Sequence, residues 1–285
     1  MAIPLRDGAP FPKAFTDVLS AAKEAATDLD IRVTIVGATA RDIVLSHIHG
    51  VDIYRATADV DIALAVADWS AFNAMLERLE QLPHVRKVEQ TPNRLWFSYE
   101  AGSYPLDLLP FGDSLGSPYL WPQDTDKEMN VAGYADAAAN ALEVDLGRGL
   151  VMNVASLPGL TLMKLFAWMD RRKQHSYKDA TDLGLLLRTY VEAGHSTSIY
   201  ESEPELMDAV DWNLDRASPR LLGRHTAMIC SDTSFRQISQ FLGDDASLRE
   251  LSLRMFDRDI VVMQTQDAAL DSLTEFYAGF SEARR

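Results

Sequence analysis

The chain reads as an α+β protein: a mixed-sheet domain over residues 1–155, then an α-helical domain over residues 156–285. Two observations predict this. Up to Val154, short β-branched runs closed by glycine or proline alternate with amphipathic helical stretches. From Ser156 onward, helical periodicity runs to the C-terminus. At 285 residues the chain is long enough for one large domain or two ordinary ones.

The elements follow in order. In residues 11–28, Phe15, Val18, Leu19, Ala22 and Ala25 recur at helical spacing. Residues 32–36 form a strand that Gly37 ends, and Thr39 stands where it could cap a helix running through Ile43, Val44 and Leu45 to about Gly50. A polar connection over 51–56 leads to a second strand, 59–66. Asp68 caps a helix with Trp69, Phe72, Met75, Leu76 and Leu79 on its buried face. Beyond Pro83, residues 85–89, 94–99 and 104–109 read as strands, with Gly102 and Ser103 as the turn between the last two. Residues 114–126, rich in Pro, Gly and Ser, read as an ordered loop anchored by Trp121. Residues 141–146 and 149–154 suggest a hairpin. Helices are then expected at 157–172, 177–193, 204–209, 219–230, 232–242, 246–255 and 268–280.

A composition of 47% hydrophobic and 24% charged residues is that of a globular protein, and no stretch approaches the roughly 20 apolar residues that span a bilayer. Residues 1–8 lack a signal-peptide layout. The single Cys230 excludes an internal disulfide framework and a cysteine-based zinc site, and the histidines show no zinc-type spacing. A cytoplasmic location is expected, with no membrane partner. The net charge of −15 argues against broad affinity for nucleic acid, which comes from basic residues neutralising phosphates, while leaving room for a local basic groove. The same charge suits a basic partner or a cationic small molecule.

The chemistry is written on the strands. Asp59 and Asp61 are two apart on a strand and share a face, opposite Val60 and Ile62. Paired carboxylates repel unless something positive sits between them, and a hard divalent cation such as Mg²⁺ is a natural guest. The alternative is a solvated strand end. Asp107, flanked by Leu106 and Leu108, is costly on an inner strand unless paired or metal-bound. Beside Asp59 and Asp61 it completes a three-carboxylate site for two metal ions. One ion would acidify an attacking hydroxyl; the other would bind a triphosphate and the leaving pyrophosphate. Gly37 and Ala38, at a strand-to-helix turn, let the backbone approach phosphate.

These motifs resemble the DNA polymerase β-like nucleotidyltransferase superfamily. The run Val36-Gly37-Ala38 with Arg41-Asp42, then Thr57-x-Asp59-x-Asp61, then Asp107, is similar to its glycine turn, its aspartate pair and its third carboxylate. Within that superfamily the chain looks most like the AbiEii/AbiGii-type nucleotidyltransferases, toxins of type IV toxin–antitoxin systems. A second signature in the helical half carries this: Lys164, then Arg171, then Lys178-Asp179-x-x-Asp182. The match spans roughly residues 30–190. Ala38 stands where glycine or serine is usual, and Lys178 where arginine is common, losing the bidentate fork.

The resemblance implies an active, Mg²⁺- or Mn²⁺-dependent enzyme moving NMP from an NTP to an acceptor hydroxyl. Asp59, Asp61 and Asp107 would be catalytic and metal-binding. Gly37, Ala38, Arg41, Thr57, Lys164, Arg171, Asp179 and Asp182 would bind nucleotide. Transfer-RNA nucleotidyltransferases carry a similar glycine-then-Arg-Asp run, which places Arg41 at the nucleotide; otherwise it is a surface residue paired with Asp42. Lys164 and Arg171 lie on one helix face. Asp179 and Asp182 would either orient them for substrate or hold two helices together. Lys164, Arg171, Arg172, Lys173, His175 and Lys178 form the densest basic stretch and either line a path for an acceptor or make a solvated helix turn. The implied acceptor is RNA or tRNA, and the implied partner an antitoxin encoded nearby. The rivals are a transferase acting on an aminoglycoside-like small molecule and a non-catalytic nucleotide-binding partner protein. A CCA-adding or poly(A) enzyme fits less well, for lack of an Arg-Arg-Asp-Phe-Thr-like stretch.

Overall fold

The computed structural model describes residues 1–53, 59–88, 91–100, 102–122, 124–172, 177–255 and 265–284. The chain divides into two compact units, Met1–Ser156 and Leu157–Arg285. The α+β class is as the sequence predicts: a mixed sheet with helices, then a helical unit. Among the described residues no helix is long and apolar enough to cross a membrane.

The first unit contains β1 (Ile3–Pro4), α1 (Lys13–Asp28), β2 (Arg32–Val36), α2 (Gly37–Asp42) and a π-helical turn (Ile43–Ile48). It continues with β3 (Val60–Ala65), α3 (Trp69–Glu80), β4 (Val85–Val88), β5 (Thr91–Tyr99) and β6 (Gly102–Phe111). After these come β7 (Tyr119–Trp121), β8 (Asp124–Met129), α4 (Tyr134–Ala139), β9 (Leu142–Asp145) and β10 (Val151–Val154). Eight strands form one sheet in the order β1-β9-β10-β2-β3-β6-β5-β4. At its centre β2 and β3 are antiparallel, β3 and β6 parallel, and β6 and β5 antiparallel.

Period-two patterning gives this centre two unlike faces. Val60, Ile62 and Leu64 of β3, Leu106 and Leu108 of β6, and Leu95 and Phe97 of β5 are all buried. Ile62 lies opposite Leu108 and Leu106 opposite Leu95, so these side chains share one packed face. The opposite face carries Asp61, Asp107 and Arg94.

Several expectations for this unit need correction. Gly102 and Ser103 are not a turn: both belong to β6, and Gly102 pairs with Tyr99. The expected loop at 114–126 contains a hairpin, β7 with β8. Its strength is aromatic, with Trp121 packed against Trp69 and Phe72 and Tyr119 edge-on to Trp69. Trp121 is the anchor expected, and the Tyr119 hydroxyl donates to the Pro110 carbonyl at 3.0 Å. Thr39 does not cap: α2 starts at Gly37 after Val36, and the Thr39 hydroxyl points elsewhere. Asp68 does cap α3, accepting from the Ala71 N–H at 2.9 Å.

The second unit runs through α5 (Leu157–Arg171), α6 (Lys178–Thr189), α7 (Ser198–Ser202), α8 (Pro204–Ala209) and α9 (Leu214–Ile229). It ends with α10 (Asp232–Leu242), α11 (Asp245–Met255) and α12 (Gln266–Glu282). α9 begins before the expected Pro219, because the Asn213 side chain accepts from the N–H groups of Asp215 and Arg216 and starts the helix there. α9 and α12 cross closely. A Cβ added at Gly223 would collide with the Phe276 carbonyl, and one at Gly279 with the Arg220 carbonyl. Charge tightens the crossing: Glu275 meets Arg216 and Arg220, and Glu282 meets Arg220 and Arg224.

Candidate active site

The site grows from the register of three strands. Val36 at the end of β2 lies opposite Asp61, Asp61 opposite Asp107, and Asp107 opposite Arg94. Directly opposed residues point to one face, so Asp61, Asp107 and Arg94 form a row across β3, β6 and β5. Asp59, two residues before Asp61, is held at its backbone: the Thr39 hydroxyl donates to the Asp59 carbonyl at 2.7 Å. That bond ties the start of the glycine helix to the first aspartate.

Gly37 is where chain conformation and chemistry meet. Its φ is +63°, a left-handed conformation that costs other residues. A Cβ there would run into the Asp61 carboxylate. Only glycine lets the β2–α2 turn lie this close to Asp61.

Arg94 was not foreseen and dominates the local electrostatics. Its Nε donates to Asp107 Oδ1 and its Nη2 to Asp107 Oδ2, both at 2.6 Å. The same Nη2 lies 3.5 Å from Asp59 Oδ2. The hydrogen bonds to Asp107 raise the guanidinium pKa, burial opposes this, and the charges of Asp107, Asp59 and Asp61 raise it further. All three aspartates therefore act on one arginine. The Arg94 side chain is 31% exposed, Asp59 47% and Asp107 15%.

Three carboxylates on one face are a hard-oxygen donor set, the kind that suits Mg²⁺ or Mn²⁺. Among the described residues, however, no group of three or more acidic, histidine or cysteine side chains is placed to hold a metal ion. Both Asp107 oxygens are taken by Arg94. Asp59, by contrast, has only a 3.5 Å contact with Arg94 and is nearly half exposed, and its carboxylate with that of Asp61 is the donor chemistry that suits a divalent cation.

The other expected nucleotide-binding residues fall in different places. Ala38 sits in α2 next to Gly37. Arg41 is paired with Asp42, as one alternative had it, but is buried rather than on the surface. Its Nε and Nη2 donate to Asp42 Oδ1 at 2.8 and 2.7 Å. Thr57 lies outside the described residues, as do Lys173 and His175 of the basic stretch.

Within the helical unit the structure brings Lys164, Arg171, Asp179 and Asp182 together. Lys164 Nζ lies 3.0 Å from Asp179 and 2.6 Å from Asp182, and Arg171 lies 2.7 Å from Asp179. Burial opposes the Lys164 charge, but the carboxylates of Asp182 and Asp179 outweigh it, and its pKa is raised. Asp179 is almost fully buried, joining α5 to α6 through both cations. Arg172 is turned to Ser247 and Glu250 on α11.

No family model matches the chain, and no curated protein does. Solved structures do show a likeness. The crystal structure of ANT(2″)-Ia in complex with adenylyl-2″-tobramycin is 12% identical, with a TM-score of 0.37, over 72% of this chain and 97% of that one. The crystal structure of JHP933 from Helicobacter pylori is 12% identical, with a TM-score of 0.40, over 96% and 94%. The Thermotoga maritima CCA-adding enzyme complexed with tRNA is 13% identical, with a TM-score of 0.25, over 99% and 86%. All three TM-scores lie below 0.5, and what the site does follows from its own residues.

Proposed function

We propose that the protein is a divalent-metal-dependent nucleotidyltransferase. The observation that carries this reading is the single face on which Asp59, Asp61, Asp107 and Arg94 gather, with Gly37 pressed against the Asp61 carboxylate. An acceptor hydroxyl oxygen attacks the α-phosphorus of an NTP. The new O–P bond forms as the bond from that phosphorus to the bridging oxygen breaks, and pyrophosphate leaves with the electron pair. The hydroxyl proton passes to Asp107 or to solvent. Asp59 and Asp61 would hold Mg²⁺ or Mn²⁺, which supplies charge neutralisation at the phosphates and acidifies a bound hydroxyl. Gly37 and Ala38 leave the turn open to phosphate, and Asp107 takes part once its pairing with Arg94 is broken.

The resemblance to AbiEii-type toxins points to an RNA or tRNA acceptor, with a neighbouring gene encoding the antitoxin. A second reading has its own support: the net charge of −15 favours a cationic small alcohol, such as an aminoglycoside, over a polyanion. The test is transfer from each labelled NTP, with Mg²⁺, to total RNA and to a panel of aminocyclitols. Wild type should label one of the two acceptor classes, and Asp59→Asn and Asp61→Asn should each lower the rate by at least about 10³-fold, the scale of lost electrostatic stabilisation in a transition state. Transfer that survives both substitutions would sink the assignment.

A further inference from the structure

Arg94 sits where a cation would be needed. Its fork covers both oxygens of Asp107, and the same Nη2 reaches toward Asp59. A guanidinium and a divalent ion at the same two oxygens would repel strongly at that range. We propose that Arg94 is an internal stand-in for the metal: it keeps Asp107 closed to a divalent ion, which reaches Asp107 only when the fork swings away. The inference rests on reading these three aspartates as cation ligands.

The placement supports such a swing. Arg94 lies directly opposite Asp107 in an unbroken antiparallel pairing, so the bidentate contact needs no long reach. Its flanking Leu95 and the nearby Phe97 are buried and hold β5 fixed, so only the side chain has to move. The guanidinium remains 31% exposed, which leaves it a route to solvent. Occupancy of both oxygens also separates this device from a general positive field. A lysine at this position would keep the charge but could cover only one oxygen at a time. Arg94 is thus a positioning residue, acting through Asp107.

The experiment is Mn²⁺ binding to the full-length protein without nucleotide, read from the loss of the free-ion electron paramagnetic resonance signal. R94Q should bind Mn²⁺ about tenfold more tightly than wild type, the scale of one charge-assisted hydrogen bond. R94K should bind a few-fold more tightly than wild type despite its unchanged charge, and it serves as well if R94Q fails to fold. D59N should weaken binding in every background. If R94Q binds equally or less tightly, Arg94 builds the cation site rather than closing it, and the proposal is overturned. If R94Q is tighter but R94K equals wild type, the effect is one of field alone and occupancy is refuted. If no form binds Mn²⁺ at millimolar concentration, the reading of the aspartates as cation ligands fails and takes the inference with it. Tighter binding by R94Q in a protein that transfers no nucleotide leaves the inference standing and removes the transferase assignment.

Discussion

The carboxylate face of the first unit and the charge networks of the second use the same side chains in opposite ways. In the helical unit, two acids are buried and matched: Asp179 lies between Lys164 and Arg171, and Glu275 between Arg216 and Arg220. On the sheet, three aspartates act on one arginine, and Asp59 stays nearly half exposed. Matched buried charges hold helices together. On the sheet, Asp107 is gripped by a full fork, and Asp59 keeps nearly half of its side chain in solvent.

The sharpest way to break this contrast is to compare stabilities. Asp179→Ala leaves Lys164 with Asp182 but strands Arg171 and opens a buried site. Breaking a buried pair from one side is expected to cost about 3 kcal/mol. Asp59→Asn, at an exposed position, should change stability by no more than about 0.5 kcal/mol while abolishing transfer. Urea unfolding followed by circular dichroism reads both. Equal destabilisation by the two would mean that the aspartates of the sheet are structural after all.

Two glycines make the next comparison. Gly37 approaches a carboxylate, whereas Gly279 approaches the Arg220 backbone. Gly37→Ala forces a Cβ residue into a left-handed conformation, worth about 1–2 kcal/mol, and displaces Asp61. Transfer should fall by about 100-fold, as expected for an ångström-scale misplacement of a catalytic group. Gly279→Ala should lower the melting temperature at least as much, by prising α12 from α9, and leave Mn²⁺ affinity untouched. A Gly37→Ala protein with full activity would show that the close packing on Asp61 has no part in catalysis.

How much of this was legible depended on which physical signal each part carried. Asp59 and Asp61 could be placed on one face because the strand period is two, whatever the surroundings. Asp107 drew notice as a charge between leucines. Arg94 was missed through the hairpin. A turn at Gly102 and Ser103 sets Asp107 opposite Ser98, whereas the observed pairing of Tyr99 with Gly102 sets it opposite Arg94. A shift of that size in the turn changes every cross-strand partner. The β7–β8 hairpin was hidden by its turn-like composition and is held by rings from α3 that local sequence does not reveal. The early start of α9 was masked by Pro219, which reads as a helix beginning although Asn213 provides the cap. Gly37 was read as a phosphate turn; its contact with Asp61 depends on the strand pairing and so needed the fold.

The smallest predicted effect tests the matched side of the contrast by pH. Burial alone would raise the pKa of Glu282, but its bonds to Arg220 and Arg224 outweigh burial and lower it. The unfolded chain then binds the proton more readily than the folded one, so stability rises with pH across this window. The contribution of Glu282 is complete above the ordinary value of 4.5 and is lost as pH falls through the lowered one. Lys164 behaves in the opposite sense: its raised pKa leaves its contribution complete below the ordinary value of 10.5, and only more alkaline solution removes it. At neutral pH, Glu282→Gln should therefore cost about 1 kcal/mol, the scale of a partly exposed charged hydrogen bond. Melting curves of the two proteins should converge as the pH falls below 4.5 and through the lowered value, where wild-type Glu282 takes up its proton. Mn²⁺ binding at neutral pH should be identical in the two. If the gap instead persists undiminished in acid, the ladder on α9 and α12 acts through packing of the long side chains rather than through matched charge, and the contrast with the sheet loses its electrostatic basis.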